Sequence, residues 1–173
     1  MTTSTRVERP ADVRPLPASL TGHTAFWVAK LGWSATKLRL QALEPLGLRP
    51  KHYAVLSVLV EEGPRSQQAL GEALNIDAST MVALIDDLER DGLAERRRNP
   101  EDRRAYAIQS TAAGNASHEQ ARRAVKAMDD ELLAPLDDAE RELLHDLLVR
   151  VAAEGPHGVP EGFSGPACCR RGE

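Results

Sequence analysis

Cysteine, aromatic residues and long apolar runs are all scarce in this chain of 173 residues. The only cysteines, Cys168 and Cys169, are adjacent, so they cannot join distant segments of one chain through a disulfide. Aromatic residues make up 3% of the sequence, which leaves Leu, Val and Ala to fill the core. That composition favours helices over a strand-rich sandwich. We therefore expect a mainly α-helical protein that is stabilised by packing.

No segment has the length and apolarity of a membrane span or a secretory signal. The longest near-continuous apolar run, from Tyr53 to Val60, is interrupted by Ser57 and is far shorter than the roughly 20 residues that a spanning helix needs. The first twenty residues carry charges and three prolines where a signal would need an apolar stretch. We expect a cytoplasmic protein without a membrane partner. Its length favours one domain and excludes a TIM barrel.

Proline and glycine are concentrated at the two ends, and residues 1–18 and 155–173 are therefore expected to be disordered tails. Between them, residues 19–154 form the predicted domain. A long helix is expected from Ser19 to Leu43, with apolar residues on more than one face. A helix of this kind in a small protein indicates that a partner chain covers one of its surfaces. Two further helices are expected within residues 111–154.

The middle of the chain predicts two short helices followed by a hairpin. After a helix at Tyr53–Leu59, Ser66 and Asp77 are each placed to cap the start of another helix. The helix after Asp77 carries an apolar stripe, and Gly92 follows its end. Residues 93–98 and 103–109 then predict two strands. The expected fold is mainly α with a small β wing, a winged helix-turn-helix of six helices and a two-stranded hairpin. The stripe consists of Met81, Leu84, Ile85 and Leu88.

This order of elements is typical of DNA-binding proteins. A helix that reads DNA buries one stripe and presents small or polar side chains to base edges in the major groove. The hairpin from Glu95 to Arg104 holds five basic and three acidic residues in a chain of net charge −4. An arginine at its tip suits the narrow minor groove of A·T-rich DNA. The outer-face candidates of the second helix are Ala78, Ser79, Thr80, Val82 and Ala83.

Three runs of the sequence resemble the MarR family of bacterial transcriptional regulators. They extend from Leu48 to Leu56 (LRPKHYAVL), from Ser66 to Arg96, and from Asn99 to Gly114 (NPEDRRAYAIQSTAAG). The resemblance is continuous over roughly residues 48–118 and includes an Asp-Arg-Arg wing tip followed by Thr-x-x-Gly. It implies a winged-helix core at about 48–110, dimerisation helices at 19–43 and 111–154, and an obligate homodimer on a palindromic double-stranded DNA site. It also implies repression that is relieved by a small molecule or an oxidant.

Carried over by position, the resemblance assigns DNA-contacting roles along the chain. Ser66 and Gln67 would approach phosphates, while Arg98 lies in the wing and Arg103 and Arg104 form its tip, with Asp102 orienting an arginine. Family members often carry arginine where this chain has Ala78, Ala83 and Asp87. Methyl contacts from Val82 or Ala83 to thymine are therefore expected to provide specificity in place of direct guanine readout. Adjacent Asp86 and Asp87 are expected at the surface, with Asp86 pairing with a wing arginine.

The resemblance also implies a pocket for an aromatic or phenolic effector near the DNA-reading elements. Peroxide-responsive members use a cysteine near the start of the first long helix, which this chain lacks, so Cys168 and Cys169 are expected to be inert thiols. The two tryptophans suit core or dimer packing equally well. The candidate pocket residues are His23, Trp27, Trp33, His52 and Tyr53.

Other function classes find little support in the sequence. No phosphate loop, nucleophile elbow, metal box or dinucleotide fingerprint is present, so neither an enzyme nor a bound cofactor or metal is expected. One alternative stays open. A winged-helix dimer with weak base readout could act as a protein-interaction adaptor, because its second helix carries alanine and aspartate where the family has arginine.

Overall fold

Seven α-helices and one two-stranded antiparallel sheet form the described part of the chain, residues 16–98 and 106–154 of a computed structural model. The mainly helical fold with a small wing is confirmed. The remaining residues of the expected tails, 1–15 and 155–173, and the wing-tip candidates Asp102, Arg103 and Arg104 lie outside the described residues. In chain order the elements are α1 (Ala18–Thr21), α2 (Thr24–Leu43), α3 (Pro50–Glu61), α4 (Gln67–Leu74), α5 (Ala78–Arg90), β1 (Ala94–Arg98), β2 (Tyr106–Ser110), α6 (Ala112–Leu132) and α7 (Asp138–Glu154), with a 3₁₀ turn at Glu44–Leu46.

The chain divides into two units within α2, and the first unit ends at Thr36. In this unit the single helix expected from Ser19 is interrupted after Thr21. The amide of Gly22 donates to the carbonyl of Ala18 at 2.9 Å and ends α1, and α2 begins only at Thr24. The described residues therefore form seven helices where six were expected. No described side chain of residues 16–36 is buried in the single chain.

The core of the second unit, which begins at Lys37, lies among α3, α4, α5, α6 and the sheet. The stripe predicted on α5 is confirmed, since all four of its residues are buried. Leu70 of α4 and Ile108 of β2 belong to the same cluster. The buried apolar residues of this core are Leu43, Leu48, Val55, Leu56, Leu59, Leu70, Met81, Leu84, Ile85, Leu88, Ala94, Ile108 and Ala121.

Helix α3 is longer at both ends than the apolar run that predicts it. It begins at Pro50, which fits the first helical position because proline has no amide hydrogen to leave unpaired. The amide of Arg49, just before the helix, donates to Nδ1 of His52 at 3.4 Å. The helix continues to Glu61, where exposed polar residues replace the apolar pattern. Periodicity alone therefore underestimates its length.

The wing contains a short third segment that the sequence does not reveal. Strands β1 and β2 pair antiparallel, with Arg96 opposite Ile108 and Arg98 opposite Tyr106. On the other edge of β2, Arg65 and Ile108 exchange both backbone hydrogen bonds, at 2.8 and 3.0 Å. The residue just before the cap of α4 is therefore joined to the wing. A single bridging residue has no period-2 pattern, so it cannot be predicted from the sequence.

Candidate nucleic-acid interface

Helix α5 begins with a cap that also holds the side chain of Ser79, one of the predicted DNA-contacting residues. Oδ1 of Asp77 accepts the amide hydrogen of Thr80 at 2.9 Å and the hydroxyl of Ser79 at 2.6 Å. These hydrogen bonds, with that of Ser79 as the largest cause, hold the pKa of the Asp77 carboxyl well below its usual value. The Ser79 oxygen is thus oriented by its bond to the cap. The predicted role of Asp77 as the cap is confirmed.

The outer face of α5 carries small side chains beside the buried stripe. Ala78, Ser79, Val82 and Ala83 are exposed, and Thr80 is half-buried. This arrangement follows from the helical repeat, because the four stripe residues face the core. A helix with such a narrow, small outer face can approach base edges closely. The candidates predicted for this face are therefore brought together on one surface.

Helix α4 presents its start beside the same region. Oγ of Ser66 accepts the amide hydrogen of Ala69 at 3.1 Å, as predicted for a cap. Because the oxygen acts here as an acceptor, the hydroxyl can still donate to a phosphate. Gln67, the next residue, is half-buried. Asn75 ends the helix in the left-handed conformation at φ 49°, which produces the tight turn into α5.

The wing arginines differ in their surroundings. Arg98 is exposed at the outer end of β1. Arg97 pairs with Glu95 of the same strand at 2.8 Å. Arg96 instead turns back to α5, where its guanidinium contacts Glu89 and lies 2.7 Å from Asp86. The expected pairing of Asp86 with a wing arginine is confirmed.

The Thr-x-x-Gly signature has a physical explanation at the start of α6. Thr111 caps this helix by accepting from the amide of Gly114 at 3.0 Å, and its hydroxyl donates to the carbonyl of Gly92 at 2.7 Å. The Thr111 amide donates to the carbonyl of Leu93 at 3.1 Å. A Cβ at Gly114 would lie only 2.0 Å from that same carbonyl oxygen. Glycine is needed because the backbone of α6 touches the turn that ends α5. The sequence indicated the motif but not this contact.

A charged cluster joins α5 to the start of α3. Asp87 lies 2.7 Å from Arg49, 2.8 Å from Arg90 and 3.4 Å from Nε2 of His52. The hydrogen bond from Arg90 is the main cause of a lowered pKa of Asp87. His52 is buried, and burial followed by the charge of Arg49 lowers its pKa, so the neutral imidazole is favoured. Where the family often has an arginine, this chain therefore has an acceptor for two arginines.

Comparison with known proteins gives the chain its family. A model of the MarR family matches residues 46–105. A putative transcriptional regulatory protein for the hcr operon of Thauera aromatica is 36% identical over 118 residues, which are 66% of this chain and 71% of that protein. The chain belongs to the MarR family of transcriptional regulators. The resemblance found in the sequence is thus confirmed.

Solved MarR-type structures share the fold of this MarR-family chain. CouR from Rhodococcus jostii RHA1, solved with bound p-coumaroyl-CoA, has 28% identity and a TM-score of 0.66 and covers 76% of this chain and 93% of its own. A mutant MarR from E. coli, solved in complex with operator DNA, has 25% identity and a TM-score of 0.65, and the match covers 73% of this chain and 91% of that one. The helix-turn-helix and wing are thus the family's architecture.

The five candidate pocket residues of this MarR protein belong to different units. His23, Trp27 and Trp33 lie in the first unit, where Nε1 of Trp27 donates to the carbonyl of Thr21 at 3.0 Å. In the second unit, His52 belongs to the Asp87 cluster described above. Tyr53, beside it in sequence, stacks on another ring. Their role in binding an effector stays a prediction.

The ring stacked on Tyr53 is His118 of α6, which the sequence did not single out. The two ring centres are 5.5 Å apart, and the ring planes are nearly parallel. The Ser57 hydroxyl donates to the Tyr53 carbonyl at 2.9 Å and lies 3.1 Å from Nε2 of His118. The Ser57 oxygen therefore accepts from an Nε2–H of neutral His118. Burial is the main cause of the lowered pKa of His118. Only its position on the buried face of α6 could have indicated this packing.

Neither a metal site nor a membrane span is found in the part of the chain that the structure describes. No three His, Cys, Asp or Glu side chains are grouped there so that they could hold a metal ion. No described helix is both long and apolar enough to cross a membrane.

Proposed function

We propose that this MarR-family protein binds a palindromic double-stranded DNA site as a homodimer and acts as a cytoplasmic transcriptional repressor that a small aromatic or phenolic ligand releases. The single observation that carries DNA recognition is the outer face of α5. It is exposed, consists of small or polar side chains and stands next to a wing whose outer end carries exposed Arg98. In this proposal α5 enters the major groove and the wing reaches the adjacent minor groove.

The chemistry of α5 favours apolar base readout. Val82 and Ala83 can contact thymine methyl groups, and Ser79 can bond to a base edge. The one arginine of α5, Arg90, lies at its C-terminal end and binds Asp87. Guanine recognition through an arginine of this helix is therefore not part of the proposal. Phosphate attraction is assigned to Ser66, Gln67 and Arg98, and the wing tip to Arg103 and Arg104, with Asp102 orienting one of these arginines.

Dimerisation is supported by apolar side chains left exposed on the terminal helices. On α7, Leu143 is 59% and Val151 69% exposed, and in the first unit Trp33 is 68% exposed. Apolar surface of this extent on a single chain marks an interaction site. We assign it to a second copy of the chain, as the sequence predicts for helices with more than one apolar face. The exposed apolar residues of α7 are Leu143, Leu147, Leu148, Val149 and Val151.

The ligand part of the proposal rests on a relative solved with a ligand and on the side chains that the sequence singles out. CouR was solved with p-coumaroyl-CoA, an aromatic thioester. In this chain His23, Trp27, Trp33, His52 and Tyr53 are the candidate contacts. A ligand that favours a dimer with the wrong spacing between its two reading heads would weaken DNA binding by its differential affinity for the two states.

The alternative of an adaptor is favoured by the carboxylates of α5. Asp86, Asp87 and Glu89 form one acidic segment on the helix that would face DNA, although each is paired with an arginine. With alanine and aspartate where the family often has arginine, a winged-helix dimer of this kind would act as a protein-interaction adaptor. Base readout would then be weak.

Selection of bound fragments from random DNA tests the proposal directly. The full chain should enrich a palindrome whose half-sites lie about 34 Å, or a multiple of that, apart. Footprinting should then protect both halves, and the affinity should fall steeply with salt. Enrichment of no common sequence, with binding that depends on salt alone, would support the adaptor instead. Repeating the selection with phenolic ligands tests release.

A further inference from the structure

We infer that Arg96 is a positioning residue that fixes the wing to the recognition helix α5 and sets sequence specificity without contacting DNA. The inference rests on the proposed DNA-binding function. Arg96 belongs to the basic hairpin that sequence reasoning would assign to phosphates as a whole. Its contacts in the structure point in the other direction, toward α5.

Three contacts from this one residue reach α5. Its guanidinium contacts Glu89 through Nη1 and lies 2.7 Å from Oδ1 of Asp86 through Nη2. Its backbone amide donates to the other Glu89 oxygen at 2.8 Å. Asp86 and Glu89 are three positions apart, so they lie on the same face of the helix. The planar, five-donor fork of arginine suits this bridging of two carboxylates better than the single ammonium of lysine.

The position of these contacts along the wing matters. At the base of the sheet Ala94 is buried in the core, and at the level of Arg96 the opposite residue of β2, Ile108, is buried as well. Beyond Arg96, the side chains of Arg97, Arg98 and Tyr106 are exposed. Within the described strands, Arg96 is therefore the outermost residue of β1 that is tied to α5. Without it, β1 would be held at this level only through its pairing with β2, whose Ile108 is buried and bridged to Arg65, and a two-stranded pairing is marginal in isolation.

Charge and exposure argue against a DNA contact by this side chain. The Arg96 side chain is 29% exposed and that of Glu89 is 28% exposed, whereas Arg97 is 64% exposed. Binding to a phosphate would require the guanidinium to leave two carboxylates that already neutralise it. Specificity requires the wing and α5 to meet adjacent grooves at one fixed spacing. Arg96 fixes that spacing.

The test compares Arg96→Gln with Arg97→Gln, which removes the same charge from the next residue. Affinity is measured by fluorescence anisotropy for the selected palindrome and for a scrambled duplex over a salt series. Arg96→Gln should lower the ratio of the two affinities about tenfold, within the range of known coupling effects, and leave the salt slope unchanged. Arg97→Gln should leave the ratio unchanged. A slope reduced by about one unit in Arg96→Gln, with an unchanged ratio, would make Arg96 a phosphate contact and overturn the inference.

Two further variants strengthen the test. Asp86→Asn combined with Glu89→Gln removes the carboxylates and leaves Arg96 in place. A positioning role predicts a lower affinity ratio here as well, whereas a phosphate role predicts an unchanged ratio and tighter binding to both duplexes. Arg96→Lys, which keeps the charge but loses the fork, should also lower the ratio. Retention of the full ratio in Arg96→Lys would overturn the inference.

Hydrogen exchange in the absence of DNA separates this inference from the proposed function. Arg96→Gln should speed exchange in the peptide spanning β1 and leave α3 protected, and Arg97→Gln should change neither. If the native chain selects no DNA sequence but β1 still loosens in Arg96→Gln, the proposed function fails and the attachment stands. If β1 exchange is unchanged in Arg96→Gln, the attachment fails whatever the DNA result.

Discussion

Replacing Gly114 by alanine should destabilise the protein through a single backbone collision. A Cβ there would lie 2.0 Å from the carbonyl oxygen of Leu93 and 2.5 Å from Oγ of Ser110, and real Cβ atoms do not come within 3.0 Å of such neighbours. The start of α6 therefore has to withdraw by about 1 Å or more. That movement breaks the hydrogen bonds from Thr111 to the carbonyls of Gly92 and Leu93, now 2.7 and 3.1 Å long.

The expected magnitude follows from these losses. Each hydrogen bond contributes about 1 kcal/mol and strained repacking costs about 1–3 kcal/mol. The better helix propensity of alanine offsets at most about 1 kcal/mol of this loss. Gly114→Ala should therefore lower the free energy of unfolding by about 2–4 kcal/mol, a large part of the roughly 5–15 kcal/mol typical of a domain.

Urea denaturation followed by circular dichroism, at one fixed protein concentration, measures this change. Asn115→Ala is the matched control, because this neighbour is exposed and the new residue is the same. It should change the stability by no more than about 0.5 kcal/mol. A Gly114→Ala protein as stable as the native one would refute the steric reasoning.

Three other predictions concern caps, pH and DNA. Ser66→Ala should cost about 1 kcal/mol in thermal denaturation because it removes the cap of α4, and an unchanged melting temperature would contradict that role. Burial lowers the pKa values of His52 and His118, so at acidic pH the unfolded chain takes up protons that the folded chain does not. The free energy of unfolding should therefore be highest above about pH 6.5 and decline as the pH falls further. Urea midpoints measured at pH 7.5 and 5.5 should show this decline in stability, and the decline should be smaller in His118→Gln. Equal midpoints of the native protein at the two pH values would contradict the prediction. In gel shifts over salt and sequence, Arg104→Ala should weaken binding to many sequences, whereas Val82→Ala should relax preference at one base step; equal, sequence-independent losses would count against both roles.

Local patterns in the sequence predicted the elements that carry the site. The apolar stripe of α5, the cap at Asp77 and the glycine after its end each depend on neighbours within four residues, and all three are confirmed. The hairpin followed from strand alternation beside turn residues. Such features depend on backbone geometry, which the nearby sequence determines.

The features that the sequence does not predict correctly depend on contacts between distant residues, or on which of several competing local preferences prevails. The interruption at Gly22 was missed because apolar residues continue on both sides of it. The strand bridge at Arg65 and the stacking of His118 on Tyr53 join segments more than 40 residues apart. From the sequence, the attachment of Arg96 to α5 is predicted only as a pairing of Asp86 with some wing arginine, because residue types alone do not say which of several arginines turns inward.

The fixed junction between α6 and the turn after α5 makes α6 a lever. Its 21 residues extend over about 30 Å, so a tilt of about 5° displaces one end by between 2 and 3 Å relative to the other. Because the first turn of α6 is bonded to Gly92 and Leu93, such a tilt cannot be absorbed at that end without breaking the bonds. A modest rotation at the far end of α6 would therefore be transmitted through this junction to α5, the helix proposed to enter the major groove.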